Sequence, residues 1–436
     1  MILNFINNFV DRCRIPRKFF SDVVYIMTSN IVNNATIFAA NIIIARNYGP
    51  EFYGLFSIAV NIALLTLSVS EFGMNYSMIR LYKIYIDDKA KSRSVLLANL
   101  YFKLLLLLCL IFFGLAGGRV FADVLMHDVD RWSLATVAFV TGGILGISSF
   151  VRAYLQAVER FKAIACQTIV YALLRVALLG SLFLWHRSVS EELLLLAIYV
   201  IPLLVILCWG LVQLKSNVQN FRINIKELVF AGLESVRYSK WIALTGISFI
   251  LIQQSLVYIV SVIGGVKEVA LLTAGLVFTA VFSLINDAVC QVLYSKLASL
   301  PHERISEYRR RLLRLAPLLV MGTVTIIFIL SIAMVLFLGE NYSRSMPIFW
   351  VTGFGTALTA CISYYSMVMH TIQRPQIGAY VNLATLICFV LCGVLLMKYV
   401  SLLAVVVAYV VALLVGELVK SLFVNRIVLK MSISGV

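Results

Sequence analysis

The sequence predicts an all-α integral membrane protein: twelve transmembrane helices in two six-helix bundles, related by a parallel pseudo-repeat, with both termini cytoplasmic. Three observations carry this. The 436 residues are 62% hydrophobic and only 13% charged, with a mean hydropathy of +0.98. A soluble chain of that size cannot cover so much apolar surface. Twelve apolar stretches can be marked, each about long enough for a hydrocarbon core of roughly 30 Å. The basic residues are sorted between alternate gaps.

The stretches lie near 22–45, 55–79, 95–116, 133–153, 163–184, 193–214, 241–263, 270–294, 315–337, 347–369, 376–397 and 402–424. The N-terminal arm, even-numbered gaps and C-terminal tail hold 27 of the 36 Lys and Arg, and the odd-numbered gaps hold 7. Lys103 and Arg175 fall inside helices. By the positive-inside rule the basic side is cytoplasmic, and the span count is even. The net charge of +16 reflects this placement in short loops, so topology explains it better than nucleic-acid binding. Some loop cations can also meet anionic lipid head groups. Trp132, Trp185, Trp209, Trp241 and Trp350 all fall at predicted span ends, where amphipathic rings prefer to sit.

The organisation follows in order. Residues 1–21 form a cytoplasmic arm, too polar and basic after residue 10 for a cleavable signal. It can lie on the membrane as an amphipathic helix with Ile2, Phe5, Ile6 and Phe9 on one face. Residues 22–214 form the first six-helix bundle, 215–240 a cytoplasmic linker, 241–424 the second bundle and 425–436 a tail. Both halves begin on the same side, so any repeat is parallel. Gly49-Pro50-Glu51 follows the first span and Gly265-Val266-Lys267-Glu268 follows the seventh. Advancing 22 residues from each glycine reaches Glu71 and Asp287.

Charges within spans are the candidate functional residues. A charged side chain at the bilayer centre costs about 2.5–3.5 kcal/mol on insertion scales, so it faces other helices or a watery cavity. Arg175 lies mid-span, Lys103 about two turns into the third span, and Arg152 at the cytoplasmic end of the fourth. The reading favoured for Arg175, over a structural ion pair, is a cavity cation meeting an anionic cargo group, since its planar fork suits phosphate oxygens. Lys103 and Arg152 either share that role or snorkel to the inner interface. Glu71 and Asp287 either bind a coupling proton or cation, or pair with Arg and Lys in an inner gate, or form static salt bridges. Asn30, Asn33, Asn34 and Asn41 share one helical face, and Gln253 and Gln254 lie on the seventh span. These amides either line a cavity or join helices, worth about 0.6 kcal/mol each.

The eight cysteines form no CxxC pair and the four histidines no ligand spacing, so no metal site is expected. No HExxH, GxSxG or P-loop occurs. That leaves transport as the default class, with neither ATP nor a catalytic site on this chain. No cofactor is expected beyond coupling to H+ or Na+.

The segments ARNYGPEFYGLFSIAVNI (45–62), SEFGMNYSMIR (70–80), QAVERFK (156–162), LYSKLASL (293–300) and LFLGENYSRSMPIFW (336–350) resemble bacterial polysaccharide flippases. These are the O-antigen repeat translocases, in a superfamily with multidrug and toxin extrusion transporters and lipid II flippases. The resemblance implies two six-helix bundles around a cationic cavity. It implies an undecaprenyl-diphosphate-linked oligosaccharide as cargo, moved outward across a bacterial inner membrane for surface polysaccharide (O-antigen or capsule) synthesis. A polysaccharide polymerase and a chain-length regulator are the partners it implies. Two other readings compete: a small-molecule antiporter of the same fold, and a membrane enzyme such as a repeat-unit polymerase. The polymerase needs a long outer loop, and the longest outer gap, 117–132, is short.

Overall fold

The computed structural model describes the backbone of residues 17–185, 189–218, 225–298, 305–366 and 375–434. Among these, every regular element is helical. Helix α1 is Arg17–Glu71, α2 is Met74–Ile84, α3 is Lys89–Phe121, α4 is Trp132–Ala157 and α5 is Phe161–Trp185. A short α6, Glu191–Leu195, passes through a π turn at Leu196–Val200 into α7, Ile201–Val218. The second half holds α8 Ile225–Gly264, α9 Val266–Ala298, α10 Ile305–Leu338, α11 Ser345–Ser366, α12 Pro375–Tyr399 and α13 Leu402–Ser434.

Eleven helical stretches among the described residues are long and apolar enough to cross a membrane. The first, Val24–Ile84, is 61 residues long and contains two of the twelve predicted spans. α1 reverses within it at Gly49, whose φ of 80° and ψ of 176° are non-helical, and Pro50 starts the return. Gly265 turns the chain between α8 and α9 with φ 83°. A side chain at either position would strain the left-handed backbone, which is why glycine stands at both. These turns mark one end of the molecule, here the turn end. The other is the termini end.

The exterior is apolar: Leu108 is 64% exposed, Phe112 73%, Phe328 69% and Leu391 63%. In water such a surface would aggregate. In lipid it is solvated, so the chain is a multi-pass membrane protein. Inside, one large core joins both bundles toward the turn end, through Ile44, Ile58, Val260, Leu272, Phe278 and Phe349. A smaller core at the termini end gathers Met78, Leu96, Phe150, Tyr154, Leu207 and Ala231.

Two boundaries differ from the sequence reading. The second span does not run unbroken to residue 79. It stops at Glu71, and Phe72 (φ 39°) and Gly73 (φ 64°) turn the chain into α2. The linker is mostly helix, because α8 begins at Ile225 and continues without a break through Trp241 to Gly264. Residues 219–224 and the N-terminal arm through residue 16 lie outside the described residues. At the start of α3, the Asp88 carboxylate accepts from the backbone N–H of Lys91 (3.1 Å) and Ala90 (3.2 Å). The bond to Lys91 holds this carboxyl below its ordinary range.

Candidate functional site: a polar cavity in the first bundle

The site begins with close helix packing. Gly142 and Gly146 lie one turn apart on α4, and a Cβ on them would collide with Ala63, Thr66 and Ser70 of α1. Small residues at this spacing let two backbones approach. The next turns of α4 therefore carry Ser149 and Arg152 to the α1–α2 break. There Asn75 Nδ2 donates to Glu71 Oε1 at 3.2 Å and to Ser149 Oγ at 3.1 Å. Arg152 Nη2 donates to Asn30 Oδ1 at 3.2 Å.

These groups face a cavity of about 460 Å³ enclosed by α1, α2, α4, α5 and α7. Its charged part carries Glu71, Asn75, Ser149 and Arg152. Asn33, Gln167, Thr168 and Tyr171 add neutral polar groups, and Ile164, Leu203, Ile206 and Leu207 an apolar wall. Glu71 is the carboxylate whose charge acts on both Arg152 and Lys103.

Lys103 does not snorkel. It is 2% exposed, and its Nζ has no hydrogen-bond acceptor. It is not on the cavity wall. Four residues earlier on α3, Asn99 Nδ2 donates to Ser235 Oγ of α8 at 3.3 Å.

Arg175 corrects the sequence reading. The structure places it behind the cavity rather than on its surface, at 1% exposure. Its Nε donates to the Ile198 carbonyl at 3.2 Å, and Nη1 to Asn33 Oδ1 and Thr36 Oγ1, both at 3.3 Å. The guanidinium packs on the rings of Tyr171 (4.4 Å) and Tyr199 (5.5 Å). The π turn supplies Ile198, so the irregular helix and the buried cation form one device. Arg175 reaches the cavity through Asn33 and Tyr171, which line it.

Other expected residues are not brought to this cavity. Asn41 Nδ2 donates to Ile37 O (2.9 Å), and its Oδ1 accepts from Tyr53 (3.1 Å), which joins helical segments. Asn34 does not line the cavity. Gln253 is exposed and Gln254 is 7% exposed, both on α8 of the second bundle. Asp287 belongs to α9, and its side chain lies outside the described residues. The sequence reading overlooked Asn75, Ser149, Gln167 and Tyr171. Gln167, an amide on the same predicted span as Arg175, was the signal that could have been used.

The bundles meet at both ends. At the termini end Tyr85 Oη donates to Glu234 Oε1 of α8 at 2.9 Å. That bond raises the Tyr85 phenol above its usual range. Ser239 Oγ of α8 donates to Met74 Sδ at 3.8 Å. At the turn end Ser261 Oγ of α8 donates to the Leu125 carbonyl, and His127 Nε2 bonds the Ser261 carbonyl at 2.8 Å. Tyr342 Oη donates to the Ala45 carbonyl at 3.1 Å.

A family model described as "Polysaccharide biosynthesis protein" matches residues 19–300. No curated protein matches the chain significantly. Solved structures share the fold. An inward-facing multidrug resistance MATE family transporter of the MOP superfamily superposes with TM-score 0.75 at 13% identity, covering 93% of this chain and 96% of that one. The lipid II flippase MurJ, in an inward closed conformation, gives 0.70 at 13% identity, covering 95% and 93%. An outward-facing MATE structure gives 0.61 at 14% identity, covering 94% and 96%.

Proposed function

Because the chain belongs to the polysaccharide biosynthesis protein family, we propose that it is a flippase for lipid-linked oligosaccharides. The cargo is an undecaprenyl-diphosphate-linked repeat unit, of O-antigen or capsule type. It passes from the cytoplasmic to the periplasmic leaflet of a bacterial inner membrane. The observation that carries this reading is a charged, hydroxyl- and amide-lined cavity inside a bundle whose outer surface is apolar. A sugar head and diphosphate cannot cross hydrocarbon unaided, because their desolvation is prohibitive. The cavity replaces that water while the polyprenyl tail stays in lipid.

Arg152 is the exposed cation on the wall, and Arg175 adds positive potential from behind Asn33 and Tyr171. Lys103, buried on α3 one turn beyond the Asn99–Ser235 contact with α8, becomes accessible when the termini-end contacts part. Glu71, bonded to Asn75 on the same cavity wall as Arg152, either gates or accepts a coupling H+ or Na+. The termini end faces the cytoplasm on this reading, following the distribution of Lys and Arg. Alternating access proceeds by rocking one bundle against the other. A polymerase and a chain-length regulator act on the delivered units.

An assay in proteoliposomes tests the proposal. Purified protein should move fluorescent polyprenyl-diphosphate oligosaccharide between leaflets, and an Arg152→Ala variant should do so more slowly. In cells, loss of the gene should abolish a surface polysaccharide and trap linked repeat units on the cytoplasmic leaflet. Units that instead reach the outer face and stay unpolymerised would assign the protein to a later step. Export of a small cationic drug with no movement of lipid-linked sugar would establish the antiporter reading.

A further inference from the structure

At the turn end, a loop of the first bundle closes on α8 through His127. The π turn Ala122–Met126 ends in this residue, whose backbone is left-handed (φ 55°, ψ 27°). A non-glycine residue holds that conformation at a cost, so its surroundings must fix it there. They do so from the first bundle. Asp128 accepts from the Asp130 N–H at 3.0 Å and pairs with Arg131 at 3.4 Å, and Arg131 pairs with Glu191 of α6 at 2.9 Å. From this anchored loop the imidazole reaches across the seam, and Nε2 bonds the Ser261 carbonyl of α8 at 2.8 Å. A carbonyl only accepts, so Nε2 carries the proton of the neutral ring and Nδ1 takes the second. Ser261 is fully buried, whereas His127 is exposed. The same carbonyl accepts from the Gly265 N–H at 3.1 Å, one residue past the end of α8 at Gly264. The last carbonyls of a helix carry the negative end of its dipole, which favours a cation.

The imidazole borders a cleft of about 740 Å³ between the bundles. Around the cleft stand Asp128 and Arg131 from its own loop, Glu191 from α6, Tyr48 and Glu51 from α1, and Lys267 from α9. Lys267 lies 3.9 Å from Glu51. α8 carries no charged side chain from Trp241 to Gly264, and Tyr258 is its only ionisable group there. Three carboxylates against two cations leave the cleft negative, which favours an imidazolium. We propose that His127 is a proton-operated latch: the imidazolium ties the two bundles together at the turn end, and the neutral ring releases them more readily. Histidine is the side chain that changes charge between pH 5 and 8. A charged donor makes a hydrogen bond about twice as strong as a neutral one. Protonation therefore favours the closed turn end, and by reciprocity closure favours protonation. With the termini end in the cytoplasm, acid on the far side of the membrane slows outward opening. The inference uses the alternating access proposed above but no particular cargo.

Distances between spin labels test it. In a cysteine-free protein in nanodiscs, labels at Leu184→Cys and Val400→Cys mark exposed positions at the turn end of the first and second bundle. Raising the pH from 5.5 to 8 should lower the ratio of closed to open distances about fivefold, the difference between a charged and a neutral donor. His127→Gln keeps a donor that does not titrate, and His127→Asn does so with a residue that suits the left-handed backbone. In either variant the ratio should no longer change over this range. A ratio that shifts as much in both variants as in the unsubstituted protein would overturn the inference and assign the response to the surrounding carboxylates. A ratio that stays constant or rises with pH in the unsubstituted protein would overturn it as well. Neither result touches the flippase reading, which movement of the lipid-linked sugar decides.

Discussion

Arg175 Nη1 donates to Asn33 Oδ1 at 3.3 Å, across 142 residues of sequence. The bond turns the Asn33 amide oxygen to the cation, on a residue that lines the cavity. The first prediction follows from it. Arg175→Ala should destabilise the protein by roughly 3 kcal/mol, because hydrogen bonds from a charged donor to Asn33, Thr36 and Ile198 are worth about 1.5–3 kcal/mol each and partly overlap. Arg175→Lys should recover part of that, having charge but no planar fork. Melting in detergent, beside a transport assay, checks it. An unchanged melting temperature for Arg175→Ala would remove the structural role.

Glu71 and Lys103 should behave as a coupled pair. No ion pair joins them, but the Lys103 ammonium is buried without an acceptor, so Glu71→Gln removes a negative charge that acts on it through space and Lys103→Met removes the buried cation itself. Each single change should lower stability. The double variant should be less impaired than the sum, with an interaction of about 1–3 kcal/mol. Additive effects would show that the two charges do not sense each other.

Packing at Gly146 should be intolerant. Gly146→Val drives a side chain into Ser70 and should cost about 1–3 kcal/mol by overpacking. Ser70→Gly in the same chain should restore part of the loss. No rescue would mean that α4 and α1 are spaced by something other than this contact.

The seam between bundles should be lockable. In a cysteine-free background, Asn99→Cys with Ser235→Cys places two thiols where a side-chain hydrogen bond now spans 3.3 Å. Oxidation should stop transport and reduction should restore it. Full activity in the cross-linked protein would show that the bundles do not part at this point.

Orientation is open to a direct measurement. Reporter fusions after Lys91, Lys226 and Arg310 should read cytoplasm, and fusions after Asp128 and Arg344 the opposite side. A reversed result at Asp128 would invert the assignment of the two ends.

Hydropathy and charge sorting were enough to draw the helices, because lipid demands long apolar runs and closed backbone bonds. The matched glycines at 49 and 265 were legible for the same local reason: a left-handed turn leaves its mark on one residue. The break at Phe72–Gly73 was not, since a lone glycine in a span does not announce a turn and its packing against Ser239 and Ala243 is a tertiary contact. Likewise the charges from 226 to 240 read as a linker between bundles, although they decorate a helix already under way. At the site, Arg152 and Glu71 stood out as ions in apolar surroundings. What surrounds Arg175 did not, because its partners are neutral groups on α1 and the π turn. A one-dimensional pattern does not report which distant carbonyl a cation meets.

The forty residues of α8 form a single rod of about 60 Å. It touches the first bundle near one tip through Glu234 and Ser235, and near the other through Ser261. A stiff beam gripped at both tips behaves as a see-saw: lifting one tip presses the other down. Under the alternating access proposed above, such a rod would tie the opening of one end to the closing of the other and keep the membrane electrically sealed through the cycle. A flippase of the proposed kind would then take in a bulky head group without short-circuiting the ion gradient of the cell.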